Sequence, residues 1–328
     1  MFRKKKILIF SLITIVILGC YVGYSRGVVD SLRAMADVHK IENEDKTVER
    51  SEMKRIKTLQ GEIEIPVKPK RIVAMNYLGY LLTLGVKPVG AGSVEMKYTF
   101  LQDKIAGIAD VGESVERIVA LDPDLIITMD GQNYEILSQI APTVVIPWSA
   151  KDVYDQLREI AVILDREKEA EDWIKNFEIK EQFAREQIAG VIGKDETVAI
   201  YEIWGKGLWV INQDYGRGAR NLYRTFQFTP PAAAEQYILG KNGGINLSLE
   251  TLPQYAADHM FILVSPQEGG AKQTIEIMES QVWKNLSAVK NNHFYEIDRY
   301  DFWSNDPISL ENQLDIQVKL LLSKNQRK

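Results

Sequence analysis

The stretch that decides the fold occurs twice in this chain. Ser114-Val115-Glu116-Arg117-Ile118 precedes Pro123-Asp124-Leu125-Ile126-Ile127, and 134 positions after Ser114 the run Ser248-Leu249-Glu250-Thr251-Leu252 precedes Asp258-His259-Met260-Phe261-Ile262. In each copy a Ser is placed to cap a helix, a Glu follows where the helix dipole favours a carboxylate, and an Asp opens an apolar run typical of a buried strand. The repeat predicts two similar α/β lobes, each with one acidic helix start.

Composition and charge narrow the range of partners. The chain has 328 residues, of which 45% are hydrophobic, so it can build one large or two medium domains with proper cores. Its net charge is −5, and Lys and Arg cluster only in the first few residues. We therefore expect no nucleic-acid partner.

The N-terminus has the pattern of an export signal. Basic residues at positions 3–6 precede an apolar run from Ile7 to Gly19 and then Cys20, the only cysteine. Ile17-Leu18-Gly19-Cys20 resembles a bacterial lipobox, although Ile17 and Leu18 depart from its preferred residues. The sequence therefore predicts a signal peptide over residues 1–20 with lipidation at Cys20. Alternatively, the 18 residues from Ile7 to Tyr24 form an uncut membrane anchor.

The rest of the chain divides into four parts under either alternative. Charge-rich residues 21–58 predict a tether outside the membrane, and residues 59–150 alternate strand and helix signals. Residues 151–193 carry apolar positions at helical spacing with no Gly or Pro before Gly190, which predicts a long interlobe helix or two in succession. A second α/β series follows over residues 194–328. The predicted fold is therefore α/β, with two Rossmann-like lobes joined by one long helical segment and a ligand cleft between them.

Most enzyme classes lack their signature here. The chain has no G-x-S-x-G, no G-x-x-x-x-G-K-[ST] and no complete G-x-G-x-x-G opening a helix. The three histidines, His39, His259 and His293, are far apart in sequence, and none is spaced as a zinc-ligand pair. We therefore expect no enzyme, no cofactor and no protein metal site, and we expect His259 within a strand and His293 at a strand start.

Residues that follow the predicted strands are the candidates for ligand binding, because ligands of open α/β sheets bind beyond the carboxyl ends of strands. Large aromatic side chains with polar tips suit a bulky organic ligand, and an arginine can hold its acceptor oxygens. Arg217 is the strongest candidate, since glycines on both sides let the backbone present it. The predicted ligand-binding residues are Asn76, Tyr77, Met129, Trp204, Trp209, Tyr215, Arg217, Tyr300 and Trp303.

Several motifs together resemble the substrate-binding lipoproteins of bacterial iron-siderophore ABC importers, in particular the ferric-hydroxamate-binding proteins of Gram-positive bacteria. The matching pieces are Ile65-Pro66 with Pro69-Lys70-Arg71-Ile72-Val73, Leu84-Gly85-Val86-Lys87-Pro88-Val89-Gly90, Leu121-Asp122-Pro123-Asp124-Leu125-Ile126, Ile140-Ala141-Pro142-Thr143, Tyr215-Gly216-Arg217-Gly218, and Trp283 to Asp298. The family fold is two lobes joined by one long helix. Its ligand loop usually reads Trp-Gly-Arg-Gly, whereas this chain has Tyr215 first and Arg220 where a small residue is common.

The resemblance implies capture without catalysis. A ferric siderophore, most simply of hydroxamate type, enters the cleft and is held by Arg217, with its iron ligated by the siderophore alone. Glu116 and Glu250 dock on the permease of an ABC importer that a cytoplasmic ATPase drives. The protein is expected to be a monomer held at the cell membrane and facing the extracellular side. The alternatives are a binding protein for haem, cobalamin or a catecholate siderophore, and a membrane-tethered sensor.

Overall fold

The computed structural model describes residues 52–147, 151–205, 207–240, 244–264 and 270–325. These residues belong to one unit, Glu52–Lys328. Cys20, the predicted signal segment and the predicted tether up to residue 51 lie outside them. Within the described ranges, no helix combines the length and the apolar character needed to cross a bilayer.

The described chain begins with an antiparallel hairpin. Strand β1 (Met53–Thr58) pairs with β2 (Gly61–Pro66), with Met53 opposite Pro66 and Thr58 opposite Gly61. Residues 53–58 therefore do not belong to a tether, and the predicted boundary at residue 58 lies too far along the chain. The error has a physical reason, because the exposed side of β1 carries charged residues, which resemble a solvated stalk in the sequence.

The N-terminal lobe is built on a five-stranded parallel sheet in the order β5-β4-β3-β6-β7. Its strands are short, and all but the edge strand β5 are buried, as expected when helices cover a parallel sheet. The elements in chain order are β3 (Ile72–Ala74), α1 (Leu78–Thr83), β4 (Gly90–Ala91), two 3₁₀ turns (Glu95–Lys97 and Thr99–Leu101), β5 (Ala109–Asp110), α2 (Val115–Ala120), β6 (Leu125–Thr128), α3 (Tyr134–Leu137) and β7 (Thr143–Val145). The strand order reverses between β3 and β6.

Two helices in succession follow, α4 (Val153–Leu164) and α5 (Glu167–Gln187). They are separated at Asp165, whose backbone is left-handed with φ of 57°. The second of the two predicted arrangements is therefore the correct one, and a single unbroken helix over the whole segment is not. The connector proper is the 21-residue α5, which packs on α4, on α1 and on the C-terminal half of the chain.

The C-terminal lobe has a five-stranded sheet in the order β10-β9-β8-β11-β12. Strands β8, β11 and β12 are parallel, and β9 runs antiparallel to β8 as the predicted hairpin, with Trp204 opposite Gly207. The elements in chain order are β8 (Val198–Trp204), β9 (Gly207–Val210), a π-helical turn (Asn221–Thr225), α6 (Glu235–Ile238), β10 (Ile245–Leu247), α7 (Leu252–Tyr255), β11 (His259–Val264), α8 (Gly270–Glu279), α9 (Gln281–Asn285), α10 (Ser287–Lys290), β12 (Phe294–Ile297), α11 (Arg299–Phe302) and α12 (Pro307–Asn325).

The last helix returns to the first lobe. Helix α12 packs on α1, on the connector α5 and on the 3₁₀ turn at Thr99–Leu101. Lys180 of α5 forms ion pairs with Glu311 and Asp315 of α12, at 3.3 and 2.7 Å. One continuous hydrophobic core accordingly runs from Ile65 through the connector to Leu321. The predicted C-terminal part, residues 194–328, is thus continuous in sequence but reaches across both lobes.

The repeated stretch forms a similar turn in both lobes, but only Ser114 is the N-cap of a helix. Helix α7 begins at Leu252 after Thr251, so the predicted helix cap at Ser248 is wrong. Ser114 Oγ accepts a hydrogen bond from Arg117 N at 3.3 Å, and Ser248 Oγ accepts one from Thr251 N at 3.2 Å. Asp124 accepts hydrogen bonds from the backbone that leads into β3, and Asp258 accepts from Thr197, which leads into β8. Each Asp thereby ties together the amino ends of the two central strands of its sheet.

Candidate functional site

The loop that joins β9 to the π-helical turn carries the strongest sequence candidate. Gly216, Arg217 and Gly218 have φ of 83°, 60° and 74°, so three consecutive residues occupy the left-handed region. A Cβ at Gly216 would lie 3.0 Å from Trp303 O, and one at Gly218 would lie 2.8 Å from Gln317 Nε2. Both glycines are therefore required by backbone conformation and by close packing, and together they fix where Arg217 stands.

Arg217 is buried and already paired with an acid. Its guanidinium lies with both Nε and Nη2 at 3.0 Å from Glu202 Oε2, and Nη1 donates to Tyr215 O at 3.2 Å. The side chains of Arg217 and Glu202 are only 6% and 3% exposed. The expectation that the glycines present Arg217 freely to a ligand is therefore too simple. A guanidinium has five N–H donors, so the contacts named here do not use all of them.

Sequence reasoning missed Glu202, although a signal for it exists. It is the only charged residue in β8, Val198–Trp204, whose other residues are apolar or aromatic. A lone carboxylate inside a buried strand needs a cation or strong hydrogen bonds. The residue that supplies the cation, Arg217, lies only 15 positions further along the chain.

The ring of Trp303 forms cation–π contacts with two arginines. The guanidinium carbons of Arg217 and Arg299 both lie 3.9 Å from the centroid of its ring, and Trp204 meets the same ring edge to face at 6.3 Å. Such cation–π contacts gain strength where water is excluded. Trp204, Trp303 and Arg217 of the predicted set therefore lie together, and Arg299, from the segment after β12, lies against the same ring.

Three other predicted ligand-binding residues line the C-terminal lobe with exposed aromatic surface. Trp209, Tyr215 and Tyr300 keep between 37% and 43% of their surface exposed. Tyr215 lies beside Arg217, with 5.1 Å from the guanidinium carbon to its ring centroid. Trp209 stands opposite Glu202 in the β8–β9 ladder.

The three predicted residues of the N-terminal lobe have structural partners instead. Tyr77 is 5% exposed, and its hydroxyl donates to Ile146 O at 2.7 Å. Asn76 Oδ1 accepts from Met129 N at 2.8 Å, which ties the carboxyl ends of β3 and β6 together. Met129 packs against the main core. These residues shape the edge of the first sheet, and Tyr77 in particular presents its ring to Tyr80 rather than to solvent.

Glu95 and Tyr98 carry the polar chemistry of the first lobe near the arginines. Glu95 accepts hydrogen bonds from Tyr77 N and Leu78 N at the start of α1. Burial raises the pKa of Glu95 to about 7, although these two N–H donors lower it. Burial also raises the pKa of Tyr98, and the charges of Glu95, Arg217 and Arg299 act on it as well. The side chain of Tyr98 therefore lies within electrostatic reach of titratable groups from both lobes.

The pKa of Glu95 leads to a pH prediction. The folded protein holds a proton at Glu95 up to about pH 7, whereas the ordinary value is 4.5, so the free energy of unfolding should fall as pH rises from 5 to 8. Glu95→Gln should remove about 2 kcal/mol of that fall. Urea unfolding at both pH values measures it, with Glu113→Gln, an exposed acid of the same lobe, as control. An unchanged pH dependence in Glu95→Gln would contradict this account.

Arg220 explains the departure from the usual loop sequence. Its side chain enters a buried ion network, with Nε 2.8 Å from Asp152 Oδ2 and Nη1 2.5 Å from Glu181 Oε1. Tyr154 covers the guanidinium at 4.6 Å. Asp152 caps α4 and Glu181 belongs to α5, so Arg220 fastens the candidate ligand loop to the connector.

The two predicted docking acids are exposed, one in each lobe. Glu116 lies in the first turn of α2, where hydrogen bonds from its own N–H and from Ser114 Oγ lower its pKa. Glu250 lies in the turn that leads into α7. They occupy the same position of the repeated stretch. This symmetry is what a two-subunit partner with equivalent surfaces would require.

Two cavities lie away from the predicted ligand-binding residues. One is lined by residues around Gly190 and Phe226, and the other lies between α1, Trp173 and the start of α12. Neither contains a residue from the predicted set.

Two of the three histidines, His259 and His293, lie together in space, which corrects the spacing argument; His39 lies outside the described residues. His259 is the first residue of β11, and His293 directly precedes β12. Their rings stack at 4.1 Å with 8° between the planes, and Glu196 lies beside them. The sequence separation of 34 positions hid this pairing, because parallel strands align residues that are far apart in the chain.

Comparisons with known proteins agree with this architecture. The family described as periplasmic binding protein matches residues 77–300. The iron(3+)-hydroxamate-binding protein YxeB of Bacillus subtilis is 39% identical over 284 residues, covering 85% of this chain and 88% of YxeB. The iron(3+)-hydroxamate-binding protein FhuD of the same organism is 36% identical, covering 81% of this chain and 85% of FhuD.

Solved structures of similar fold are also siderophore-binding proteins of the FhuD type. A FhuD fold-family protein from Bacillus subtilis, described as the periplasmic binding component of a Fep/Fec-like ferrichrome ABC transporter, has a TM-score of 0.74 and 35% identity, covering 81% of this chain and 99% of that structure. Staphylococcus aureus FhuD2 with bound ferrioxamine B has a TM-score of 0.71 and 26% identity, covering 78% and 100%. The two-lobe fold, the matched span and these identities confirm the resemblance seen in the sequence, and this chain belongs to the periplasmic binding protein family of substrate-binding proteins.

Proposed function

We propose that this protein captures a ferric siderophore, of hydroxamate type, outside the cell membrane and delivers it to an ABC permease. The arrangement that carries the proposal is the cluster of Arg217, Arg299, Trp204 and Trp303 beyond the carboxyl ends of β8 and β12. Its aromatic faces suit the organic shell of a siderophore, and its guanidinium groups suit oxygen atoms that carry negative charge. The iron keeps the siderophore's own oxygens as ligands.

Two unsatisfied polar atoms support a ligand at this place. Arg299 Nη1 and Asn305 Oδ1 are buried and have no hydrogen-bond partner among the described residues. Buried polar atoms are nearly always paired, so each needs a group that the protein does not supply. Both lie on the segment after β12 that also carries Trp303. An oxygen-rich ligand can accept from Arg299, and a bound water or ligand donor can serve Asn305.

Titration with iron complexes tests the proposal. The full-length protein is titrated with ferrichrome, ferrioxamine B, a ferric catecholate, haem and cobalamin while tryptophan fluorescence is followed. We expect a ferric hydroxamate to quench strongly and to bind most tightly, because Trp204 and Trp303 lie within the cluster. Tighter binding of haem, cobalamin or the catecholate would show that the ligand is not a hydroxamate siderophore and would identify its class instead. Silence across all five would favour a membrane-tethered sensor.

Docking on the permease is predicted separately, from the exposed glutamates of the repeated stretch, Glu116 and Glu250. Glu116→Ala combined with Glu250→Ala should leave siderophore affinity unchanged and lower uptake by intact cells at least about tenfold, since opposite charges guide and register an interface. Uptake is measured with radioactive iron. The matched control combines Glu113→Ala with Glu296→Ala, two other exposed acids, one in each lobe. Equal uptake by both double variants would remove the docking role.

A further inference from the structure

A second cluster of polar side chains lies at the opposite edge of the C-terminal sheet. Glu196 precedes β8, His259 begins β11 and His293 precedes β12, so all three stand at the amino ends of neighbouring parallel strands. The register places His259 beside Val198 on one side, and Met260 beside Phe294 on the other. The candidate ligand cluster lies at the carboxyl ends of the same sheet. The two places are therefore separated by the length of the strands.

The three side chains offer a close set of metal-binding atoms. One carboxylate oxygen of Glu196 and one ring nitrogen from each histidine all lie within 4.8 Å of one another. His259 Nε2 is 3.3 Å from Glu196 Oε2, and Gly193 N donates to the same oxygen at 2.7 Å. From these contacts we propose that Glu196, His259 and His293 form a binding site for a divalent transition-metal ion such as Zn²⁺. The iron carried by a siderophore plays no part in it.

The donor set suits that class of metal. Two imidazoles and one carboxylate are a known ligand set for Zn²⁺, with a fourth position left to water, whereas harder ions prefer all-oxygen sites. His259 is buried, with 3% of its surface exposed, so a metal held there would be shielded from solvent on that side.

Tyr295 contacts the ring nitrogen of His259 that does not face Glu196. Tyr295 Oη lies 3.0 Å from His259 Nδ1, the ring nitrogen that points away from Glu196. Without a metal, the tyrosine hydroxyl can donate to Nδ1 while Nε2–H faces Glu196. With a metal on Nε2, the ring proton lies on Nδ1, and Nδ1–H donates a hydrogen bond to Tyr295 Oη. A hydroxyl can do either, so it can hold His259 in both states.

Metal binding requires one local change. A metal lies near the plane of each imidazole that holds it, and the two rings are now parallel, 4.1 Å apart. His293 is only half-buried, so it can tilt out of the stack towards a shared ion. The bound ion would then cross-link the amino ends of three strands and stiffen the C-terminal lobe.

The test uses the full-length protein freed of metal with a chelator and titrated calorimetrically with Zn²⁺. We expect one site in the wild type, and a loss of affinity of at least about tenfold in His293→Gln and in Glu196→Gln. His39→Gln and Cys20→Ser control for the chain's remaining histidine and only cysteine, and both should match the wild type. Thermal unfolding of each protein, with and without Zn²⁺, checks that His293→Gln is folded and shows whether the ion stabilises it.

Three outcomes would overturn the proposal. The wild type fails to bind Zn²⁺, or His293→Gln binds as tightly as the wild type, or the affinity is lost in His39→Gln or Cys20→Ser instead. Co²⁺ in place of Zn²⁺ gives a further check, since nitrogen and oxygen ligands in a four-coordinate site produce visible absorption bands that His293→Gln should lose. Siderophore titration of the same variants should be unaffected, which separates this site from the one proposed above.

Discussion

Arg220→Ala should destabilise the protein by about 3 to 5 kcal/mol, because it leaves two buried carboxylates without their cation. The side chains of Arg220, Asp152 and Glu181 are 5%, 14% and 10% exposed. Burial lowers the pKa of Arg220, but the two acids outweigh it and raise the pKa overall, so the charged form is firmly held. Thr225 Oγ1 also donates to Glu181 Oε1, at 2.5 Å, and would keep only part of the network in place.

Arg224 provides the matched control for this prediction. It lies four residues along the chain and reaches the same Asp152 at 3.5 Å, together with Asp214 at 2.7 Å, but its side chain is 37% exposed. Arg224→Ala should therefore cost less than about 1 kcal/mol. Urea unfolding of both variants compares them directly. Equal losses would mean that burial of the Arg220 network contributes nothing beyond an ordinary surface pair. Arg220→Lys should fall between, because an ammonium cannot span both acids as a guanidinium fork does.

The sequence predicted those contacts whose two partners lie within a few residues of each other or on adjacent strands. The Ser114 cap and the two Asp residues of the repeat form the expected contacts, because each partner lies within a few residues or on the adjacent strand. The hairpin at Trp204 and the turn conformation of the glycines around Arg217 are local features and were predictable for the same reason. These patterns located both sheets and the loop that the ligand is proposed to meet.

Long-range pairing set the limit of prediction. Tyr77 follows a strand, as a ligand contact should, but its side chain is buried and its hydroxyl donates to Ile146 O. His259 and His293 meet only because β11 and β12 align in parallel. Glu202 lies inside strand β8, and its ion pair with Arg217 forms only because the loop after β9 folds back against that strand. In each case the deciding contact joins elements whose relative position no local pattern specifies.

The Glu202–Arg217 pair makes the sharpest test of ligand binding. Arg217→Ala should weaken binding of the ferric hydroxamate by about 1.5 to 3 kcal/mol, roughly tenfold to 150-fold, if the guanidinium holds charged oxygens of the ligand. The same variant leaves Glu202, whose side chain is 3% exposed, as an uncompensated buried acid. That acid would destabilise the fold and repel the ligand oxygens, so a loss of affinity in this variant alone has two explanations.

The double variant Arg217→Ala with Glu202→Gln separates those two explanations. Removing the acid as well should recover much of the lost stability, since no buried charge remains, while the affinity should stay low because the donors to the ligand are still missing. Fluorescence titration and urea unfolding of the wild type, both single variants and the double variant complete the cycle. Recovery of affinity along with stability would show that Arg217 only neutralises Glu202 and that the ligand is held by other groups, Arg299 and Trp303 first among them.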